Sequence, residues 1–263
     1  ISEGEIRLLR VFGEQPVVTV PGFIDGRCVQ ELGDYCFSRR KLPENEIRYS
    51  RYCGGMWESG LSVLKDKEKK DRISSEQEEN IISLETIERD GKLHELSEKY
   101  IKEVQLPADI VKIGSCAFYN CTKMERISVY PKLVEVGSDA FMNCLNLRSL
   151  RMCAGVEEPT GLKQLLAQIK WQVEVSFEQE DGEREAVLMY PEYYESYDEI
   201  GPAHIFELNL TGEGFRARQC FKEGVILLNA YDEIFPQACV EESAEVLIPM
   251  AWNRLYAACG LSP

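Results

Sequence analysis

Histidine is scarce in this chain, which has 263 residues and two histidines, His94 and His204. His94 lies in a charged region and His204 at the start of a predicted strand, and neither belongs to a Ser-His-Asp or Cys-His motif. Phosphate-binding loops are missing too, because Gly212-Glu213-Gly214 lacks the rest of a GxGxxG or Walker pattern and is interpreted as a turn. We therefore expect no catalytic residues, no metal site and no cofactor.

Long apolar runs and closely spaced cysteine pairs are also missing. No stretch of 18 apolar residues occurs, so we expect no membrane insertion, and the first residues lack the apolar stretch of a secretory signal. The ten cysteines contain no CxxC spacing, which excludes the usual zinc ribbon and thioredoxin motifs. We interpret most of them as reduced, buried thiols of a cytoplasmic protein. The alternative is a cell-surface or secreted protein from which a signal segment has been removed.

Negative charge is concentrated in one part of the sequence. The net charge at pH 7 is −15, of which residues 1–153 contribute −2 and residues 154–263 contribute −13. An acidic surface repels phosphate backbones, so we expect no nucleic acid partner. The acidic residues provide solubility or, alternatively, a surface for a basic partner. The step in charge predicts two domains that meet near residue 153.

A 23-residue repeat is the strongest positive signal. The segments CAFYNCTKMERISVY (116–130) and AFMNCLNLRSLRM (140–152) align on Phe118 and Phe141, and the other equivalent positions keep the same offset. These further pairs are Gly114 and Gly137, Ala117 and Ala140, Asn120 and Asn143, and Cys121 and Cys144. A fixed period in the twenties is typical of a solenoid, whose turns stack in one direction.

Each repeat contains a short segment in which apolar and polar residues alternate. Val104 and Leu106 should point one way, and Glu103 and Gln105 the other. Period two predicts half-buried strands that stack into a parallel sheet with an apolar interior. The phenylalanines should fill this interior, and the asparagines should bond backbone groups at the bend.

The outward-facing strand positions would line one face of the solenoid. These residues are Thr19, Glu103, Gln105, Arg126, Ser128, Ser149 and Arg151. Their mixed polarity is that of an ordinary surface or, alternatively, of a binding face for a polar, modestly charged partner.

Two further stretches define the resemblance of this sequence to a known family. VVTVPGFIDGRCVQELGDYCF (17–37) has the same order of strand, proline, glycine and phenylalanine as KEVQLPADIVKIGSCAF (102–118). The stretch IKEVQLPADIVKIGSCAFYNCTKMERISV resembles the BspA-type leucine-rich repeat, strongly over residues 101–152 and fairly over 17–38. The resemblance implies an α/β leucine-rich-repeat right-handed solenoid with a short parallel sheet. It also implies a bacterial source and binding to proteins or surfaces without catalysis. This sequence departs from the family pattern in that it predicts only three or four turns.

The remaining segments predict an insertion and a second domain. Residues 39–100 interrupt the solenoid, and their charged part is expected to be disordered around 65–80. Residues 154–263 should form an acidic α+β domain that caps the solenoid. Its predicted elements are a helix with Leu162, Leu165, Leu166 and Ile169 on one face, a hairpin turning at Asp181-Gly182, a hairpin turning at Gly212–Gly214, and a helix over about 242–259 that contains Pro249.

Two clusters allow more than one interpretation. The segment YPEYYESYDEI (190–200) contains Tyr190, Tyr193, Tyr194 and Tyr197 among acidic residues. This aromatic-acidic patch is a turn packed on its own domain, a protein-binding patch, or a glycan or metal site. Cys121 and Cys144, on successive turns, are two buried side chains, a disulfide or a metal pair.

The leading hypothesis is a non-enzymatic protein-protein interaction scaffold that presents a leucine-rich-repeat surface to a protein partner of unknown identity. An exported adhesion module that binds host protein or glycan is the alternative. A third hypothesis places an enzyme in the C-terminal half, with carboxylates around residues 190–199. The sequence leaves the oligomeric state open.

Overall fold

The computed structural model describes residues 5–13, 15–39, 48–53, 56–61, 94–179, 184–200 and 205–259. The strands are β1 (Glu5–Leu8), β2 (Phe12–Gly13), β3 (Val17–Thr19), β4 (Phe23–Ile24), β5 (Arg27–Leu32), β6 (Arg48–Cys53), β7 (Met56–Leu61), β8 (His94–Glu95), β9 (Glu103–Gln105), β10 (Lys112–Ile113), β11 (Arg126–Val129), β12 (Glu135–Val136), β13 (Ser149–Met152), β14 (Val173–Glu178), β15 (Arg184–Tyr190), β16 (Tyr194–Ile200), β17 (Ile205–Thr211), β18 (Phe221–Lys222) and β19 (Val225–Ile226). The helices are α1 (Leu162–Leu166), α2 (Glu213–Ala217), α3 (Leu228–Asp232), α4 (Phe235–Glu241) and α5 (Ala244–Ala258).

The largest sheet carries the repeat. Its strand order is β15-β14-β13-β11-β9-β3, and the five strands from β3 to β14 run parallel. Arg126 lies opposite Glu103 on one side and Ser149 on the other, so each of these steps across the sheet equals one repeat of the sequence. The predicted parallel solenoid is confirmed, with more turns than the three or four expected.

Alternate residues of these strands form one apolar interior. Val104, Ile127, Leu150 and Val175 occupy matching positions on neighbouring strands and are fully buried. Burial of one such side chain stabilises the fold by about 1.5–3 kcal/mol. A single turn buries too few of these residues to be stable alone, so the turns depend on one another.

Phenylalanine rings form a second ladder inside the solenoid. The ring centroids of Phe37 and Phe118 are 4.9 Å apart, and those of Phe118 and Phe141 are 5.2 Å apart. The planes of these pairs differ by 8° and 6°. Because the spacing is close to that between neighbouring strands, the rings follow the stacking of the turns. Phe37 places the predicted first repeat in the same stack.

A second parallel sheet forms another side of the solenoid. Its strand order is β1-β5-β10-β12, and β4 pairs with β5 in a short hairpin. Lys112 of β10 lies opposite Glu135 of β12, again one repeat further along the chain, and the two side chains form an ion pair. The sequence did not predict this sheet, because its shortest strands contain too few residues to show a period.

The glycines at the corner allow successive turns to touch. A Cβ on Gly114 would lie 2.6 Å from the backbone N of Asp34, and one on Gly137 would lie 2.4 Å from that of Ser115. The positive φ angles of the corner fall on later residues, such as Asp139 with φ 56°. These glycines therefore supply space for close backbone approach, not a left-handed conformation.

The two repeat asparagines bond each other. The Nδ2 atom of Asn143 donates to Oδ1 of Asn120 at 2.7 Å. Their φ angles, 64° and 62°, lie in the left-handed region that asparagine tolerates better than most residues. The expectation of a bond to backbone groups is thereby corrected, since the bond joins two side chains on successive turns.

The parallel sheet continues past the predicted domain boundary. β14 pairs with β13, with Ser149 opposite Glu174 and Met152 opposite Phe177, so this step is slightly longer than the repeat. The longer turn contains α1, which confirms the predicted helix in a shorter form and buries its leucines. Residue 153 therefore lies directly after β13, which is an inner strand of the sheet, and the division into two domains stays a prediction.

One predicted hairpin is present and the other is wrong. β14 pairs antiparallel with β15, although the turn at Asp181-Gly182 lies outside the described residues. β17 pairs instead with the preceding strand β16, and the chain then enters α2. Gly212 has φ 94°, and a Cβ on Gly214 would lie 2.3 Å from the carbonyl oxygen of Glu192. These glycines therefore begin a helix that packs against the backbone before β16.

Buried Arg218 joins segments of the C-terminal part. Its side chain is enclosed beside the rings of Tyr193 and Tyr190, whose centroids lie 5.1 and 5.9 Å from Cζ. The guanidinium donates to five carbonyl oxygens, those of Leu166, Ile169, Trp171, Pro191 and Gly214, at 2.5–3.3 Å. Burial lowers the pKa of Arg218 to about 10. These bonds tie α1 and the turn after it to α2.

The C-terminal helix α5 is close to its predicted bounds and contains Pro249. Val246 and Met250 are buried and the helix packs against β15, whereas Trp252 and Leu255 are about half exposed. Gly260, which was predicted to end the helix, lies outside the described residues.

The insertion is described only in part. β6 and β7 pair antiparallel as a hairpin within residues 39–100. Residues 62–93 lie outside the described residues, so the expected disorder around 65–80 stays a prediction.

Candidate interaction surface

All seven predicted face residues lie on the same side of the six-stranded sheet. One row contains Glu103, Arg126 and Ser149, followed by Glu174. The next row contains Thr19, Gln105, Ser128 and Arg151, followed by Ser176. The residues between the rows, such as Ile127 and Leu150, are buried in the interior. The sheet therefore presents one polar surface, while its role in binding stays a prediction.

Hydrogen bonds connect the polar groups at the β3 end of this surface. Arg126 Nη1 lies 3.0 Å from Glu103 Oε2. Gln105 Nε2 donates to Glu103 Oε1 at 3.3 Å, and Thr19 Oγ1 donates to Gln105 Oε1 at 3.2 Å. This chain of contacts connects polar groups on three neighbouring turns, those of β3, β9 and β11.

A second set of contacts lies at the β14 end. Arg151 forms an ion pair with Glu178, whose side chain is 10% exposed. Ser176 Oγ donates to Oε1 of the same carboxylate at 3.3 Å. The carboxylate therefore has two partners, while the Arg151 side chain remains 37% exposed to solvent.

A groove of about 580 Å³ runs over this face. It is lined by Glu103, Arg126, Ser128, Arg148, Ser149, Arg151, Gln172, Glu174, Ser176, Glu178 and Met189. Three arginines and three glutamates balance in charge, and the lining contains no aromatic residue. The volume lies within the usual range of ligand sites, but the walls are unusually polar.

Ser128 lies on the groove floor with an unsatisfied hydroxyl. The residue is 4% exposed, and Oγ has no hydrogen-bond partner among the residues that the structure describes. A buried polar group without a partner costs about 1–3 kcal/mol.

The part of the lining that belongs to the last turn was not predicted from the sequence. These residues are Arg148, Gln172, Glu174, Ser176, Glu178 and Met189. The step from β13 to β14 is longer than the repeat, so the repeat alignment ends before it. The alternation in WQVEVSF (171–177) was the available signal, because it places Glu174 and Ser176 on the same side of a strand.

The four predicted tyrosines do not form one patch. Tyr190 is fully buried and contacts Tyr231 edge-on at 5.7 Å, while Tyr193 is 8% exposed and lies beside Arg218. Burial takes both rings out of any surface and raises the pKa of each. Tyr194 and Tyr197, in β16, are more than 60% exposed. The predicted aromatic-acidic patch is thus reduced to these two residues.

Cys121 and Cys144 are free, buried thiols. Cys121 Sγ donates to the carbonyl oxygen of Phe37 at 3.3 Å, and Cys144 Sγ donates to that of Phe118 at 3.0 Å. Each thiol therefore bonds the turn before it. Of the alternatives, the structure shows two buried side chains that connect successive turns.

Within the described ranges, no group of three or more His, Cys, Asp or Glu side chains is arranged to hold a metal ion. No described helix is both long and apolar enough to cross a membrane. Backbone positions place His94 in β8, whereas His204 lies outside the described residues.

Comparison with known proteins gives one match. Residues 73–160, about a third of the chain, match the family model of the BspA type leucine rich repeat region, in six copies. No curated protein and no solved structure matches the chain. The matched range contains the three strands β9, β11 and β13, which follow one another at intervals of one repeat. Over residues 73–160 the sequence is thus similar to a BspA type leucine rich repeat region.

Proposed function

We propose that this protein is a non-enzymatic interaction scaffold that binds a protein partner on the polar face of its six-stranded sheet. The groove on that face is the observation that carries the proposal. Its lining combines charges and hydroxyls from several turns on a rigid parallel sheet, which suits recognition of an extended surface. The leucine-rich-repeat match supports the same role, because such regions generally mediate protein interactions.

The side chains of the groove favour recognition over covalent chemistry. The lining contains no histidine, cysteine or lysine, and two of its arginines are already paired with carboxylates, Arg126 with Glu103 and Arg151 with Glu178. The charged groups on the face present a pattern of both signs that a complementary partner can match and that disfavours a partner with the wrong charges.

In this proposal the segment after β14 closes one end of the solenoid. β15 runs antiparallel to β14 and is the last strand of the sheet, and α5 packs against it. An exposed end strand would invite pairing with other chains, so an antiparallel strand backed by a helix protects the stack.

Charge reversal in the groove tests the proposed function. The double variant Arg126→Glu/Arg151→Glu is immobilised beside the native protein and exposed to lysate of the source cells. The control is Lys112→Glu/Lys132→Glu, which makes the same change in charge at ion pairs outside the groove, with Glu135 and Asp109. Melting curves show whether each variant is folded.

The proposal expects a set of proteins that the native chain and the control retain and the groove variant loses. Equal retention by all three chains, or no retained protein, would contradict it.

A further inference from the structure

We propose that the groove binds an extended peptide segment carrying both acidic and basic side chains, and that the Ser128 hydroxyl bonds a main-chain amide of that segment. The inference rests on the proposed function and names the chemistry of the partner.

The position of Ser128 supports a main-chain contact. It lies between Gln105 and Arg151 in its row, so the ion pair of Arg151 is beside it and the ion pair of Arg126 is on the neighbouring row. Its hydroxyl can donate one hydrogen bond and accept others, as a peptide amide can through its N–H and C=O groups. Extended peptide main chain places such groups at regular intervals along a groove, so a segment can satisfy this hydroxyl whatever its side chain is at that point.

The surrounding charges favour a partner with both signs. Arg148 and Glu174 line the groove on adjacent turns, joined by a backbone hydrogen bond of 2.9 Å. Neither side chain has an ion-pair partner among the described residues. Arg148 is thus available to an acidic group and Glu174 to a basic one. A partner of a single sign would meet one favourable and one repulsive site in a lining that has no net charge.

The same lining disfavours other classes of partner. Sugar rings commonly pack their C–H faces on aromatic rings, and the lining has none. Nucleic acid binding requires an excess of positive charge to neutralise phosphates, and three glutamates oppose the three arginines here. A mixed-charge peptide is the class that matches the hydroxyls and both signs of charge.

Ser128→Ala gives a test in which stability and binding move in opposite directions. Removing an unsatisfied buried hydroxyl should raise the melting temperature by about 2–4 °C. Losing its bond to the ligand should weaken peptide binding about 3- to 10-fold. The matched control is Ser138→Ala, which removes an exposed hydroxyl outside the groove and should change neither quantity.

Three fluorescein-labelled octapeptides serve as probes, namely (Glu-Ser-Lys-Ser)₂, (Glu-Ser)₄ and (Lys-Ser)₄, with both ends blocked. Fluorescence anisotropy with the full chain should show at least about fivefold tighter binding of the mixed-charge peptide than of the other two. A hexameric oligosaccharide of N-acetylglucosamine is added as a competitor and should not displace it.

The inference is overturned if the mixed-charge peptide shows no binding at millimolar concentration or no preference over the single-sign peptides. It is also overturned if Ser128→Ala leaves peptide affinity unchanged or lowers the melting temperature, or if the oligosaccharide competes. In those cases the proposed function still stands when the Arg126→Glu/Arg151→Glu variant loses retained proteins. It fails when that variant retains what the native chain retains.

Discussion

Phe118 and Phe141 stack one turn apart, with ring centroids separated by 5.2 Å and planes inclined by 6°. Both side chains are fully buried, and Phe37 continues the stack on the other side of Phe118. The ladder shows that neighbouring turns share one interior. Removal of one ring should therefore reduce the packing of both adjacent turns.

Phe118→Ala should lower the free energy of unfolding by about 3–5 kcal/mol, because it removes a ring with aromatic neighbours on both sides. Urea unfolding followed by circular dichroism measures the change. Met142→Ala is the control, since Met142 is 46% exposed and its truncation should cost less than about 1 kcal/mol. Similar losses for the two variants would argue against a common aromatic core.

Gly137→Ala tests the close approach of turns at the corner. The new Cβ would lie 2.4 Å from the backbone N of Ser115, so backbone must move, and we expect a loss of about 2 kcal/mol or more. Gly22→Ala is the matched control, because its Cβ would meet Pro107 at an ordinary 3.7 Å. Thermal unfolding compares the melting temperatures of the two variants. A Gly137→Ala protein with the native melting temperature would refute the close contact.

Arg218→Lys should destabilise the protein by about 3 kcal/mol or more. A lysine ammonium cannot reach the five carbonyl oxygens that the guanidinium serves, so buried acceptors lose their donors. Arg148→Lys, at an exposed arginine, should change stability by about 0.5 kcal/mol or less. Chemical denaturation measures the free energy of unfolding of both variants. An Arg218→Lys protein as stable as the native protein would contradict the described hydrogen bonds.

The buried thiols predict a loss of stability at alkaline pH. Burial raises the pKa of Cys36 from an ordinary 9.0 to about 12, so the folded state favours the neutral thiol. The resulting stabilisation is present below pH 9 and is lost as pH rises from 9 towards 12. Urea midpoints between pH 7 and 11 should fall less steeply for Cys36→Ala than for the native protein. Cys239 is exposed, so the urea midpoint of Cys239→Ala should change with pH as that of the native protein does. The same pH dependence in the native protein and both variants would contradict a contribution from Cys36.

The solenoid could be predicted from sequence because its repeat is nearly exact. Positions such as Ile127 and Leu150 are equivalent in successive repeats, and strand alternation shows which side chains face inwards. The turn from β13 to β14 could not be aligned because α1 makes it longer than the repeat. Asn120 and Asn143 were placed at the bend, but the bond between them depends on the stacking distance, which a single repeat does not reveal.

The part of the candidate surface that lies within the repeat was predicted from the sequence, and the part beyond the repeat was not. Residues within the repeat, such as Arg126 and Ser128, were assigned to the outer face from their alternation. The groove appears only when the strand after the repeat is added, because Glu174 and Ser176 complete its lining. The burial of Tyr190 could not be read from a segment rich in acids, since its contacts come from Arg218 and Tyr231, far along the chain.

Site-specific photo-crosslinking tests the central claim most directly. A photoreactive benzoylphenylalanine replaces Ser149 on the groove or, as the control, Glu135 on the other sheet, and each chain is irradiated in lysate of the source cells. The account predicts defined protein adducts from position 149 that excess unlabelled native protein suppresses, and none of these adducts from position 135. The same adducts from both positions, or from position 135 alone, would contradict it.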